Sequence, residues 1–172
     1  KKNSKQNYDK DGFTAKSGNI NKTILSKAID NYINKWISKE GNKSAVYIKK
    51  NRSYDVNDFD LSFVHGLSLE DGAATLTEYS SFIISAVINA IPNGRRVVVC
   101  GGGRKNKFLI KRISKKIKYS LHPIDNFGID GDFIESQAFA YLAIRSYLKL
   151  PISFPETTGV SKPCTGGVVV KN

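Results

Sequence analysis

Three consecutive glycines, Gly101-Gly102-Gly103, separate the apolar run 97–100 from a basic amphipathic stretch that begins at Arg104. A strand that breaks into glycine and re-emerges as a helix lets a ligand lie against bare backbone, because any Cβ would hold it away. Two familiar phosphate-binding patterns are excluded. A P-loop needs Lys-Ser or Lys-Thr after its last glycine, and neither follows here. The dinucleotide fingerprint wants a third glycine where Asn106 stands, and the expected acidic residue closing a second strand is missing. Two readings remain. In one, the glycines make a tight strand-to-helix turn with Asn106 as N-cap. In the other, they form a flat surface for a nucleotide base and ribose.

The remaining polar residues offer less. Glu135 opens a helical segment, where a carboxylate complements the helix dipole. Asp130 and Asp132 are expected to shape a loop and cap that helix, with no catalytic role. Asp71 and Thr75 read as helix-start residues, and Asp9 and Asp11 as turn carboxylates. His65 and His122 are the only histidines and stand in no ligand-like cluster, so no metal site is expected. Cys100 and Cys164 lie far apart and read as two reduced thiols rather than a disulfide.

These residues must be held by elements whose periods are legible. Residues 1–18 are polar and read as a surface loop. Apolar positions from Ile20 through Ile24, Leu25, Ala28, Ile29, Tyr32, Ile33, Trp36 and Ile37 follow a helical period and predict a helix over 20–39. A short strand is expected at 45–48. A second helix is predicted over 72–91, N-capped by Asp71 and ended by Pro92, with a deeply buried second half. Residues 97–100 read as an interior strand. A helix with Leu109, Ile113 and Ile117 on one side follows, then a strand near 119–124, then a helix over 132–150 stopped by Pro151. The tail is expected to be turn-rich with a small strand. The order predicts an α/β or α+β layered domain, with a small mixed sheet flanked by helices, in a single unit over 1–172.

The chain has 172 residues and a formal net charge of +12. That charge is carried mostly by lysine: 27 basic residues minus the arginines 52, 95, 96, 104, 112 and 145 leaves 21 lysines. Base reading favours arginine, whose fork binds bidentately, so the charge reads as a solvated surface rather than a nucleic-acid footprint. No segment is apolar for the ~18 residues that a membrane span needs, and the N-terminal stretch lacks the core of a signal peptide. A cytoplasmic protein is expected. The chain opens on Lys1, which is read as a sign of a fragment.

Taken together, EDGAATLTEYS at 70–80, CGGGRKN at 100–106 and GIDGDFIESQAFAYLA at 128–143, with YDKDG at 8–12 and TTGVSKP at 157–163, resemble the C-terminal half of anhydro-N-acetylmuramic acid kinases. These belong to the actin/hexokinase/Hsp70-like ATPase superfamily, and the resemblance covers nearly the whole chain. It implies the C-terminal lobe of an actin-like, ribonuclease H-like fold. It also implies that Gly101, Gly102, Gly103 and Asn106 line the adenosine of ATP and that Glu135 binds the sugar. The family reaction transfers the γ-phosphate of ATP to the sugar while water opens the 1,6-anhydro ring, giving N-acetylmuramic acid 6-phosphate and ADP with Mg²⁺ as cofactor. The family's N-terminal phosphate-binding segment and its catalytic aspartate have no counterpart here. No catalytic residue is therefore assigned in this chain, and the isolated lobe is expected to be inactive. A homodimer is left open. One departure stands at 50–53, where the family's Pro-Pro-Lys-Ser reads Lys-Asn-Arg-Ser. Two other readings are a non-catalytic remnant lobe and a basic module for nucleic acid.

Overall fold

The computed structural model describes residues 7–36, 56–91, 93, 96–168 and 170. The strand expected at 45–48 and the loop at 50–53 lie outside the described residues.

The N-terminal segment is not a plain loop. After a single 3-10 turn at Lys10–Gly12 it forms a short helix, α1 (Phe13–Ser17). Five residues cannot hold a helix alone. Asp9 holds this one by accepting the N–H groups of Thr14 (2.8 Å) and Ala15 (3.0 Å) on its two carboxylate oxygens. The fully buried Ala15 sits on the inner side.

Helix α2 (Lys22–Trp36) packs its apolar stripe against α3 (Leu69–Ala90). Ala28, Tyr32, Tyr79 and Ile83 form the buried cluster, flanked by Leu25, Ile29, Phe59, Phe63 and Leu76. Its aromatic members meet mainly edge-on. Tyr79 stands at 87° to Tyr32 and at 62° to Phe63, geometries that set ring edges against ring faces. Burial pushes the Tyr79 hydroxyl pKa up.

The start of α3 departs from expectation. Its N-cap is Ser68, which accepts the Asp71 N–H at 3.1 Å. Asp71 and Thr75 instead reach across to the α1–α2 junction. Asp71 Oδ1 accepts the Asn19 N–H at 2.7 Å, and the fully buried Thr75 Oγ1 accepts the Asn21 N–H at 3.0 Å. Along the second half of α3, Ile83 and Ser85 are buried but Ile84 and Val87 are exposed, so burial there is one-sided.

Strands β1 (Arg96–Val99) and β2 (Ser120–Pro123) pair in parallel, with Val97 opposite Leu121 and Val98 opposite His122. Among the described residues the sheet has these two strands alone, so it is parallel rather than mixed. The crossover between them contains the glycine turn and α4 (Lys107–Ser114), as a parallel pair requires. Helix α4 ends before Ile117. Its Ile113 is buried, and Arg112 and Lys116 bind Glu78 of α3. Asn89 of α3 holds the following linker, donating to the Lys116 carbonyl and accepting from the Lys118 N–H.

Helix α5 (Ile134–Tyr147) is shorter at both ends than predicted and buries none of its residues. Phe139, Ile144 and Tyr147 are 60–71% exposed. Beyond it lie α6 (Pro155–Thr158) and an isolated antiparallel bridge between Ser153 and Cys164, while the end of the tail, where a small strand is expected, lies partly outside the described residues. Strand β1 also falls short of the interior strand its composition suggests. Val98 is 45% exposed, because burial alternates along β1 and Val98 lies with Arg96 on the face that the described residues leave open.

Candidate functional site

The glycine turn leaves the C-terminal end of β1, the edge where open α/β sheets place their ligands. Gly101 has φ +74° and ψ 176°, a conformation restricted to glycine, so the backbone itself requires it. Gly102 and Gly103 then start a 3-10 turn. Neither has a positive φ, and a Cβ on either would meet nothing within 4 Å. Asn106 ends the turn and caps α4, its Oδ1 accepting the Leu109 N–H at 2.9 Å. That cap fixes the side-chain amide, whose NH₂ group remains a donor. The tight-turn reading of the motif is therefore realised at Gly101 and Asn106, and it leaves Gly102 and Gly103 without an internal reason.

Arg104, which sequence reasoning passed over, is the organising cation of this region. Its side chain is only 7% exposed. Nε and Nη2 donate to the two oxygens of Asp125 at 2.7 and 2.9 Å, and Nη1 donates to Asp132 Oδ1 at 2.6 Å and to the Gly101 carbonyl at 3.1 Å. Lys105 adds a second ion pair to Asp132. Asp130 shapes the loop as expected, accepting the Asp132 N–H at 2.9 Å. Asp132 does not cap α5, because its carboxylate is held by Arg104 and Lys105. The residue at the cap position is Phe133. The Gly101 N–H also donates to the Gly131 carbonyl at 3.0 Å, so the glycine turn and the loop before α5 are joined by backbone as well. Glu135 sits exposed in the first turn of α5, one turn beyond Asp132.

Hydrogen bonds from Arg104 hold the Asp125 carboxyl well below the usual carboxylate range. Arg104 and then Lys105 lower Asp132 in the same way. Groups whose folded pKa is depressed stabilise the fold above the unfolded value, here 3.8, and lose that contribution as pH falls toward the folded value. Stability is therefore expected to drop as pH is lowered below about 4, and to drop less in Asp125→Asn. Thermal unfolding from pH 7 to pH 3 measures both. Parallel curves for the two proteins would rule out this origin.

Among the described residues, no group of three or more His, Cys, Asp or Glu side chains could hold a metal ion. The aspartates nearest the glycines are turned toward Arg104, so the described residues do not fit a Mg²⁺ site. No helix of the described residues is long and apolar enough to cross a membrane. Cys100 and Cys164 are both free and exposed.

Comparison with known proteins agrees with the sequence motifs. The family model for anhydro-N-acetylmuramic acid kinase matches residues 1–172. A protein named anhydro-N-acetylmuramic acid kinase from Pelagibacter ubique is 45% identical over 179 aligned positions, covering 100% of this chain and 45% of that protein. Its namesake from Rhizorhabdus wittichii is 38% identical over 94% of this chain and 41% of its own length. A third, from Zymomonas mobilis, is 42% identical over 67% of this chain and 32% of its own length. The chain thus spans less than half the length of these relatives. With the glycine turn, its capping asparagine and the Asp-rich loop all inside the matched span, the chain belongs to the anhydro-N-acetylmuramic acid kinase family.

Proposed function

We propose that this chain is the C-terminal, nucleotide- and sugar-binding lobe of an actin-like, ribonuclease H-like kinase. The kinase converts 1,6-anhydro-N-acetylmuramic acid, ATP and water to N-acetylmuramic acid 6-phosphate and ADP in cell-wall recycling. The observation that carries the reading is the bare backbone of Gly102 and Gly103, where neither the dihedrals nor any neighbouring atom calls for glycine. An adenosine lying flat on the turn would supply the reason. Gly101 and the Asn106 amide flank that surface, and Glu135 takes the sugar.

The lobe needs a partner. The exposed apolar side chains of α5 and the edge of β1 that is unpaired among the described residues support an N-terminal lobe packing there, as does the greater length of the relatives. The water-activating carboxylate belongs to that lobe, so residues 1–172 alone are a single domain without turnover. Mg²⁺ would arrive with the ATP phosphates rather than on a protein cage built here. A reaction that consumes ATP belongs in the cytoplasm.

The test is an assay of the native polypeptide carrying this segment, beside the 172-residue chain, with ATP, Mg²⁺ and the anhydro sugar. The native polypeptide is expected to release one ADP per sugar 6-phosphate formed, and the short chain none. A native polypeptide that leaves the anhydro sugar untouched would overturn the proposal.

A further inference from the structure

None of the residues of helix α5 is buried, and its second half is tied to the tail, where Arg145 Nε donates to the Pro151 carbonyl at 2.7 Å and Ser146 Oγ donates to the Gly166 carbonyl. What ties its start to the sheet is polar. Arg104, in the glycine turn, reaches Asp125 just after β2 and Asp132 just before α5, and also the Gly101 carbonyl behind it. The loop backbone closes over the guanidinium. Gly131 is buried, and a Cβ there would lie 2.6 Å from Arg104 Cζ.

We propose that Arg104 is a positioning residue, which clamps the glycine turn to the loop delivering Glu135 and so holds nucleotide and sugar in one register. The inference rests on the site reading proposed above. The clamp depends on the arginine fork. Two edges of one planar cation serve Asp125 and the Asp132–Gly101 pair at once, which a lysine ammonium, whose three donors share one nitrogen, cannot span in the same way. Movement of α5 relative to the turn would leave each ligand's own contacts intact and spoil their alignment, and a misplacement of about 1 Å is enough to cost on the order of a hundredfold in rate.

The test uses the native polypeptide and two substitutions. Arg104→Lys keeps the charge and loses the fork; it is expected to lower kcat about a hundredfold. Asp132→Asn leaves the Asp125 pair in place and weakens the α5 side, where the ion pairs to Arg104 and Lys105 lose their charge. It is expected to raise KM for the sugar about tenfold with KM for ATP near wild type. A purely structural role would lower the melting temperature without splitting the two KM values. Hydrogen exchange gives a readout independent of catalysis. Asp132→Asn should speed exchange over residues 130–137 and leave α2 and α3 unchanged. Wild-type kinetics in both variants, or unchanged exchange over 130–137, would overturn the clamp. A wild-type protein with no sugar phosphorylation overturns the proposed function instead, and exchange then decides the clamp alone.

Discussion

Gly102→Val is expected to weaken ATP binding by about a hundredfold or more, equivalent to ~2.7 kcal/mol, while leaving the fold intact. The two halves of this expectation come from one geometric fact. A Cβ at Gly102 projects into space where no atom of the described chain lies within 4 Å. The added Cβ therefore meets no non-neighbouring residue, and the change in stability should stay within the ~0.5 kcal/mol typical of surface positions. Against a flat aromatic ring the isopropyl group is a wedge. It removes the close contact on which dispersion depends, and no rotamer withdraws it. Calorimetric titration of the native polypeptide with a non-hydrolysable ATP analogue measures the affinity, and thermal unfolding checks the fold. Lys111→Ala is the contrast and should bind ATP as wild type does. Lys111 lines a basic cleft with Lys16, Lys107, Arg112 and Lys115, beside the exposed Phe13. If nucleic acid were the true partner, the lysine change would matter, the glycine change would not, and binding would fall steeply with salt. Unaltered ATP affinity in Gly102→Val would remove the adenosine from this turn.

Residues whose role is set by their own neighbours were legible in the chain, and residues set by distant partners were not. Helices α2 and α4 follow from apolar periodicity, α3 from its long apolar run ended by Pro92, and the Asn106 cap from its place between glycine and an amphipathic run. Asp71 shows the limit. It looks like an N-cap, but Ser68 captures that role with a local bond, while Asp71 is drawn to the Asn19 N–H, 52 residues away in sequence. Helix α1 escaped for a related reason, since five residues carry no readable period and its stability is tertiary. The composition of β1 is that of a buried strand, and its half-exposure reflects one face that the described residues leave uncovered. Arg104 did leave a trace. In a chain with 21 lysines and 6 arginines (27 basic residues in all), an arginine beside a glycine turn is a choice of fork over point charge, and its carboxylates stand in the Asp125–Asp132 loop. Which of those carboxylates it binds is a matter of folding, not of spacing.

Gly18→Ala should destabilise the fold by about 3 kcal/mol, and local rules would predict the opposite. Gly18 has φ −90° and ψ 169°, extended backbone open to any residue. Taken alone, alanine there would stabilise by about 0.4–1 kcal/mol by restricting the unfolded chain. The obstacle is α3. An added Cβ would overlap the Glu70 carbonyl and lie 2.7 Å from the Asp71 nitrogen, backbone atoms of the first turn that cannot swing aside as a side chain can. The α1–α2 junction would have to lift away. Lifting it breaks the bonds from the Asn19 N–H to Asp71 and from the Asn21 N–H to Thr75, and it leaves the Thr75 hydroxyl buried without its partner. Overpacking of about 1–3 kcal/mol and an orphaned buried acceptor of about 1–3 kcal/mol together outweigh the entropic gain. Urea unfolding of wild type and Gly18→Ala measures the difference, and an unchanged midpoint would mean that the junction yields more easily than its hydrogen bonds imply. Gly18 and Gly102 thus need their missing Cβ for opposite reasons. At Gly18 the chain itself fills the space, so the penalty falls on folding. At Gly102 the space is open, so under the proposed adenosine site the penalty falls on nucleotide binding.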